Sequence, residues 1–266
     1  MRKIIKALAW LNDVLQVLFL YRFNAQRRRL SEQASTACRS LKFHATSKIR
    51  QLPLREIVAK LSDQPVDQVV LPGPATDLGE VGSQTAYHTL GTLVRAIQPA
   101  TIFETGTYLG VSAYAMALNT PESCRIYTLD LPDDAAGELV PGLNEIDVRH
   151  VATSRLRVGE AFLRSSLKHR VTQLRDDSMT FRAETVMKNV DLIYVDGGHS
   201  LEVVTKDTEN AFRVLAARGV IVWDDYFHLY PDVVQYLDGL ANQYQLFGIE
   251  GTNYVIYSRN WPTPVR

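Results

Sequence analysis

A short apolar run that turns through two glycines into a helical segment limits the fold of this chain more than any other feature. The sequence of residues 101–112 is Thr-Ile-Phe-Glu-Thr-Gly-Thr-Tyr-Leu-Gly-Val-Ser. The β-branched and aromatic residues at its start favour a strand, and Gly106 and Gly110 are typical of a turn that leads into a helix. In an α/β fold such a turn lies at the carboxyl end of a parallel strand, where nucleotide-like ligands bind. The segment therefore predicts a parallel sheet with a ligand site at this edge.

Predicted strands and helices alternate along the rest of the chain, as they do in successive βαβ units. The sequence predicts seven strands, at 101–105, 125–130, 171–176, 190–196, 219–225, 244–249 and 253–258. It predicts helices near 79–98, 112–118, 157–168, 180–188, 200–216 and 231–242. The last two strands are close enough in sequence to form a hairpin. We therefore expect an α/β fold with a Rossmann-like, seven-stranded, mostly parallel sheet and a terminal antiparallel hairpin.

Charge divides the chain into two parts. Residues 1–60 contain 13 Lys or Arg and 3 Asp or Glu, a balance of +10, whereas the remainder contains 16 and 26, a balance of −10. An acidic body argues against nucleic acid as a partner. A helix-breaking Leu-Pro-Gly-Pro run ends at Pro74. We expect a basic N-terminal helical extension over residues 1–74 and the main domain over residues 75–266.

The N-terminal segment allows several interpretations. Residues 4–21 have apolar positions at helical spacing, and Arg27, Arg28 and Arg29 follow. Polar residues interrupt the apolar run, which disfavours a membrane-spanning helix. A basic amphipathic helix over residues 1–30 could instead lie on an anionic membrane, pack on the body or on a second subunit, or be part of a cleaved transit peptide. We expect a homo-oligomer, and we expect the protein in the cytoplasm, with peripheral membrane contact through this segment as one alternative.

Four predicted strands end in acids: Glu104, Asp130, Asp196 and the pair Asp224-Asp225. Because the carboxyl ends of parallel strands meet at one edge of a sheet, we expect these side chains to lie close together. Any single one of them could instead cap a helix or a turn. Residues 131–156 are too long for a simple connection, and a loop of this length at a ligand face is usually a lid or a substrate wall.

The first two acids indicate a nucleoside ligand. Asp130 ends the second strand, where a carboxylate accepts hydrogen bonds from ribose hydroxyls in both NAD and adenosine sites. Thr107 occupies the place of the middle glycine that a dinucleotide site requires, and Glu104 adds a negative charge. These two departures favour a cationic cofactor without phosphates, such as S-adenosylmethionine (SAM), over a nicotinamide cofactor. Asp177 and Ser178 follow the third strand, where they could contact the adenine amino group or cap a helix.

The later acids indicate a cation and a base. Asp196, Asp224 and Asp225 would repel one another unless a cation joined them, and oxygen ligands suit Mg²⁺, or Mn²⁺ or Ca²⁺. His199 follows Asp196 by three residues, where it could remove a proton from a hydroxyl group. The alternative is that Asp225 caps a helix and His199 is a hydrogen-bonded turn residue.

With these residues the chain resembles the class I SAM-dependent methyltransferases over residues 95–258. Residues 104–110 are similar to the first motif of that family. Residues 196–202 and 219–226 resemble the branch of macrolide-sugar O-methyltransferases and cephalosporin-hydroxylase-like proteins and, more remotely, the catechol and caffeoyl-CoA O-methyltransferases. Leu201 departs from the tyrosine usual in this branch.

The resemblance implies roles for individual residues. Asp196, Asp224 and Asp225 would hold the metal, with Asp225 in place of an amide, and His199 would replace the lysine base of the catechol enzymes. Glu104 would lie near the methionine amino group of SAM and Asp130 would hold its ribose. The other residues implied in cofactor binding are Thr105, Gly106, Thr107, Tyr108, Gly110, Ser112, Asp177, Ser178 and Asp196.

We therefore expect a metal-assisted, SAM-dependent O-methyltransferase that acts on a hydroxyl group of a small molecule, a sugar or a glycoconjugate. The aromatic residues Trp223, Tyr226, Phe227 and Tyr230 could stack on such an acceptor. The alternatives are a SAM-fold protein with a binding or structural role and a nicotinamide oxidoreductase. Nucleic-acid methylation is disfavoured, since the chain lacks an Asn/Asp-Pro-Pro-aromatic motif.

Overall fold

The computed structural model describes residues 47–73, 84–132, 145–154 and 156–262, together with Phe43. These residues form a sheet of eight strands in the order β1-β7-β8-β6-β5-β2-β3-β4. The strands are β1 Gln51–Leu52, β2 Thr101–Thr105, β3 Arg125–Asp130, β4 Val171–Arg175, β5 Val190–Val195, β6 Leu215–Trp223, β7 Phe247–Ile249 and β8 Val255–Ser258.

Seven α-helices accompany the strands in the described part of the chain. They are α1 Leu54–Leu61, α2 Gln84–Ile97, α3 Val111–Asn119, α4 Glu145–Ser154, α5 Glu160–Leu163, α6 Leu201–Val214 and α7 Pro231–Leu240. Short 3₁₀ turns lie at Lys168–Arg170 and Ala183–Thr185.

The centre of the sheet is parallel and its terminal hairpin is antiparallel. β2 pairs in parallel with β3 on one side and with β5 on the other, and β4 and β6 extend the sheet outward from these neighbours. β8 runs antiparallel to β6 and to β7. This topology puts the ends of β2, β3, β5 and β6 at one edge, as expected from the sequence.

The core explains why the central strands are so apolar. Helices cover both faces of a parallel sheet, so a central strand is buried on both sides. Ile102, Phe103, Leu192 and Ile193 are completely buried, and each such side chain contributes about 1.5–3 kcal/mol to folding through the hydrophobic effect. Asp191 is the polar exception in β5, and its carboxylate accepts the backbone N–H groups of residues 100 and 101, which fixes the start of β2.

The described residues form one strand more than the seven predicted. β1 has two residues, pairs in parallel with β7, and is too short to have a detectable alternation of apolar and polar residues. β6 begins at Leu215, four residues before the predicted start at residue 219. The predicted terminal hairpin is confirmed as β7 and β8.

Two predicted helices are shorter than expected. The helix predicted over 157–168 is reduced to α5, because Gly159 takes a left-handed conformation (φ 79°) and admits a helix only from residue 160. The helix predicted over 180–188 is a single 3₁₀ turn. The sequence in turn did not predict α4, which lies within residues 131–156.

Most of the predicted N-terminal extension lies outside the described residues. Within 47–73, β1 joins the main sheet and α1 packs against α2. The division at residue 74 stays a prediction, as does the role of residues 1–30. Over the part of the chain that can be described, no helix combines the length and apolarity needed to cross a membrane.

Candidate active site

The turn after β2 presses against the end of β5. Gly106 has φ +89°, and a Cβ atom at this position would lie 1.8 Å from the carbonyl oxygen of Asp196. Its N–H donates to Leu129 O (2.9 Å), and the N–H of Asp196 donates to Thr105 O (3.0 Å). Glycine is therefore required here both for its backbone conformation and for the close approach of the two chain segments.

Asp130 holds the glycine turn from the neighbouring strand. Its Oδ2 accepts the N–H of Tyr108 at 2.7 Å, and its Oδ1 accepts the N–H of Leu131 at 2.8 Å. Burial raises the pKa of Asp130, and these hydrogen bonds oppose that shift. Each oxygen keeps a second lone pair, so the carboxylate can still accept from a ligand hydroxyl.

Glu104 lies under the turn. Its carboxylate is fully buried and accepts hydrogen bonds from Ser112 Oγ and Thr128 Oγ1, both at 2.5 Å. Thr128 Oγ1 also contacts Thr107 Oγ1 at 2.7 Å. Burial raises the pKa of Glu104 to about 7, although the two hydroxyl donors lower it.

An open cavity lies above these strand ends. Of the residues predicted to form the site, it is lined by Thr105, Gly106, Tyr108, Asp130, Asp177, Ser178, Asp196, His199 and Asp225. The predicted residues that it does not expose lie behind this wall: Glu104, Thr107, Gly110, Ser112 and Asp224. Helix α4 and helix α6 contribute lining residues that the sequence did not predict: Asp147, His150, Val151, Ser154, Val203 and Asp207.

Asp177 caps a turn within the cavity wall. Its Oδ1 accepts the N–H of Met179 at 2.9 Å, and its backbone carbonyl accepts the N–H of Phe181 at 2.8 Å. One oxygen of this side chain is thus engaged in the local structure, as the capping alternative from the sequence proposed.

His199 is held between two carboxylates. Its Nδ1 bonds to Asp147 Oδ1, its backbone N–H donates to Asp147 Oδ2 (3.0 Å), and its Nε2 bonds to Asp225 Oδ2 (2.6 Å). Burial lowers the pKa of His199, but the hydrogen bonds and charges of Asp147 and Asp225 outweigh burial and raise the pKa to about 10. The imidazole is therefore protonated at neutral pH in this arrangement, with both ring nitrogens donating.

Aromatic rings surround His199. The ring of Tyr230 stacks on the imidazole with centroids 4.1 Å apart, and His150 lies at 6.3 Å. Of the four aromatic residues predicted to stack on an acceptor, Trp223 and Tyr226 are buried and donate to Thr208 Oγ1 and Asp238 Oδ1. Phe227 is also buried. Those three belong to the packing below the site, which leaves Tyr230 at its side.

The acids at the ends of β5 and β6 are electrostatically coupled. Burial, followed by the charges of Asp224, Asp225 and Glu104, raises the pKa of Asp196 well above its usual range. Burial and then the charge of Asp225 raise the pKa of Asp224 to about 7, and a hydrogen bond from the Tyr194 hydroxyl (2.7 Å) lowers it. Asp224 Oδ1 accepts the N–H of Asp225 at 2.6 Å.

The arrangement of these acids bears on the expected metal. Among the residues that the structure describes, no three His, Cys, Asp or Glu side chains are placed to hold an ion. The physical reason is visible in their partners, because Asp225 is turned to His199 and Asp224 to Tyr194. The carboxylate oxygens are of the right chemical kind for Mg²⁺, but their present hydrogen bonds do not direct them to a common point.

Sequence reasoning missed two acids, Asp147 and Asp207. Asp147 is in α4, inside the segment treated as a loop, so it had no strand end or motif to mark it. Asp207 is in the middle of α6, a segment that was predicted only as a helix. A buried acid on the apolar face of an amphipathic helix is the signal that could have found it.

Comparison with known proteins identifies the fold and a similarity to methyltransferases. Residues 103–226, from β2 to β6, match the family model described as a methyltransferase domain. Over these residues the chain is similar to methyltransferases, in agreement with the resemblance seen in its sequence. The match includes both the glycine turn after β2 and the acids after β5 and β6. No curated protein sequence matches this chain.

Two solved structures have a similar fold. A methyltransferase from Podospora anserina, bound to S-adenosylhomocysteine (SAH), is 19% identical with a TM-score of 0.51, and the match covers 88% of this chain and 96% of that one. A protein assigned as a caffeoyl-CoA O-methyltransferase from Staphylococcus aureus is 15% identical with a TM-score of 0.50, and the match covers 67% and 84%. At these identities the likeness shows a shared fold.

Proposed function

We propose that this methyltransferase transfers the methyl group of SAM to a hydroxyl oxygen of a small molecule, a sugar or a glycoconjugate. The observation that carries the proposal is the position of an Asp–His–Asp array, Asp147–His199–Asp225, in the wall of the same cavity as the glycine turn and Asp130. Oxygen methylation needs a group that removes the hydroxyl proton, and such an array beside the cofactor cavity supplies one. The similar fold of a protein assigned as a caffeoyl-CoA O-methyltransferase adds to its support.

In this proposal the cofactor lies along the cavity edge. The ribose hydroxyls bond to the free lone pairs of Asp130, and the backbone around Gly106 approaches the rest of the cofactor closely. The sulfonium of SAM is already activated, so the protein mainly aligns the methyl donor with the acceptor oxygen.

The proton of the acceptor hydroxyl passes to Nε2 of His199. Asp147 holds Nδ1 and stabilises the imidazolium, as the acid does in other acid–histidine pairs. Since Nε2 now carries a proton and donates it to Asp225, that proton must first pass to Asp225 or to solvent, and the acceptor hydroxyl must take the place of Asp225, before His199 can serve as the base. The protonated state described above is thus the resting state in this proposal.

Assistance by a divalent cation is the finer part of the proposal. The oxygen ligands would come from Asp196, Asp224 and Asp225. The negative charges of the neighbouring acids raise the pKa of Asp196, and a bound cation would offset this repulsion. Asp225 would leave His199 to join the ion, which frees Nε2 in the same movement. A bound Mg²⁺ would lower the pKa of the acceptor hydroxyl.

Calorimetric titration of the purified protein with SAH, with and without Mg²⁺, tests the cofactor assignment. Micromolar binding of SAH is expected, and no binding in either buffer would overturn the proposal. A panel of catechols and sugars, assayed for transfer of a labelled methyl group, then identifies the acceptor. Activity that is lost on treatment with EDTA and restored by Mg²⁺ would support the cation, and full activity in EDTA would exclude it.

A further inference from the structure

A second cleft lies at the opposite edge of the sheet from the cofactor cavity. It is lined by residues just before and at the start of β1 and β7, by α1, and by residues that follow α7. β7 is parallel to β1, and it runs in the direction of β6 because β8 is antiparallel to both β6 and β7. The cleft is therefore at the amino ends of these strands, whereas the cavity is at the carboxyl ends. Its volume is about 420 Å³, within the range of small-molecule sites, and among the described residues it shares no lining residue with the cavity.

The lining of this cleft is basic. It contains Lys48, Arg50 and Lys60 and one acid, Glu56, so three positive charges and one negative charge leave a balance of +2. Lys48 Nζ lies 3.7 Å from Asp238 Oδ2, which offsets part of the charge of this lysine. The guanidinium of Arg50, in contrast, has neither an ion pair nor a hydrogen bond among the described residues. Arg50 and Lys60 are both exposed, so their charged groups are available to a ligand.

The inner surface of the cleft is apolar. Ile49, Leu52, Leu246 and Phe247 line it, and each is less than 10% exposed. Lys60 Nζ lies 5.5 Å from the centre of the Phe247 ring, so the ammonium group is held directly over this surface. Cationic groups at the rim of an apolar surface suit a ligand in which a negatively charged group is attached to an apolar one.

We propose that this cleft binds the phosphate head of an anionic phospholipid. Arg50 and Lys60 bond to the phosphate oxygens, and the apolar surface contacts the glycerol and the first methylenes of the acyl chains. A guanidinium bonds two phosphate oxygens in one plane, and an ammonium adds a point charge. The cleft begins at residue 48, within the basic part formed by residues 1–60, and clusters of basic residues recognise anionic lipid surfaces. The inference does not depend on the proposed methyl transfer.

The test is calorimetric titration of the full-length protein with dihexanoyl phosphatidic acid, kept below the concentration at which it forms micelles. We expect one lipid to bind per chain. Glycerol 3-phosphate, which lacks the acyl chains, should bind at least about tenfold more weakly, because it leaves the apolar surface uncovered. Dihexanoyl phosphatidylcholine should also bind at least about tenfold more weakly, because its choline group neutralises the phosphate.

Variants assign the binding to the cleft. Arg50→Gln combined with Lys60→Gln should weaken the binding of the short-chain phosphatidic acid by about tenfold or more, since two basic contacts are removed. Arg55→Gln is the matched control, because Arg55 is an exposed basic residue of α1 that does not line the cleft. It should bind as wild type. Replacing the three arginines at 27–29 by alanine should also leave this binding unchanged, which separates the cleft from the N-terminal segment.

Each alternative result overturns the proposal. Equal affinity for glycerol 3-phosphate and for the lipid would mean that the cleft takes a soluble phosphate. Wild-type affinity in the double variant, an equal loss in Arg55→Gln, or no binding of the lipid at all would show that the cleft is not a lipid site. Thermal unfolding checks that the double variant folds, and if it does not, Arg50→Gln alone should show a loss in the same direction. SAH affinity should be the same in wild type and in these variants, so a failure to bind SAH would count against the proposed function alone.

Discussion

His199 is the residue whose surroundings decide most about the chemistry of the site. Both of its ring nitrogens are bonded to carboxylates, one from α4 and one from the end of β6. The sequence placed His199 and Asp225 near each other, since both follow strands at the same edge. It could not place Asp147, because the position of a carboxylate in a long connection depends on how that connection packs.

Replacing Asp147 tests whether it positions His199. In Asp147→Asn the amide can donate to Nδ1, which favours the wrong tautomer and removes a charge that stabilises the imidazolium. We expect kcat to fall by about 100-fold or more, with the KM for SAM little changed.

The measurement is the steady-state rate of methyl transfer to an acceptor that the panel of catechols and sugars has identified as a substrate. Glu145→Gln, an exposed position in the same helix, should behave as wild type. An equal loss in both variants, or a loss that appears only in the KM for SAM, would contradict a positioning role for Asp147.

Glu104 provides a prediction about stability and pH. Burial raises its pKa from 4.5 to about 7 in the folded protein, so the folded state favours the protonated carboxyl. The stability that this group contributes is therefore complete below pH 4.5 and is lost as pH rises through 7. A shift of this size corresponds to about 3 kcal/mol.

Glu104→Gln stays neutral at every pH, so wild type should lose stability relative to this variant between pH 4.5 and 8. Urea unfolding of the ligand-free proteins at several pH values measures the difference. Glu122→Gln, at a largely exposed side chain, serves as the control and should show a pH dependence like that of wild type. A gap between wild type and Glu104→Gln that does not vary with pH would show that Glu104 is ionised in the fold.

At the scale of elements, the turn after β2 and the end of β5 form one structural unit. Gly106→Ala would put a methyl group 1.8 Å from the carbonyl oxygen of Asp196 and would strain a backbone with φ +89°. We expect a loss of several kcal/mol in unfolding free energy, as for other severe steric changes, and no measurable SAH binding.

Gly239→Ala provides the comparison. Gly239 is in α7, and a methyl group there would meet no atom within 4 Å. Alanine in an exposed helix should stabilise the protein by up to about 1 kcal/mol. Thermal unfolding and calorimetry of both variants measure these effects, and wild-type affinity for SAH in Gly106→Ala would mean that the two segments separate without cost.

The sequence predicted those strands and helices that are long enough for the spacing of their apolar residues to be recognised. The strands 101–105, 190–196 and 219–225 were found because each is a run of β-branched and apolar residues that the core buries on both faces. β1 has only two residues and is a strand because it pairs with β7. It therefore cannot be recognised from its own sequence. The short α5 was overestimated because helical propensity does not register the left-handed Gly159. The helix predicted over 180–188 was also overestimated, since only a 3₁₀ turn forms at Ala183–Thr185.

The whole molecule combines a basic N-terminal part with an acidic remainder. We propose that residues 1–30 bind an anionic membrane surface, on the basis of the apolar spacing in 4–21 and the three arginines that follow. Each basic residue near such a surface contributes about 1 kcal/mol. The full-length variant with Arg27→Ala, Arg28→Ala and Arg29→Ala should therefore bind phosphatidylserine vesicles about 100-fold more weakly.

Co-sedimentation with these vesicles at low and at physiological salt measures the effect. Equal binding by both proteins would contradict the membrane proposal. A change in molar mass of the variant in light scattering would instead favour the alternative in which this segment packs on a second subunit.

The order of strands in the sheet has a consequence for protein synthesis. β2 gains its neighbour β3 soon after it leaves the ribosome, but its other neighbour, β5, follows only after residues 106–189 have been made. The wall that Asp196 and Gly197 provide is missing until then. A nascent chain can therefore hold the glycine turn and Asp130 and still be unable to close the cavity, so capture of the cofactor reports that translation has passed β5.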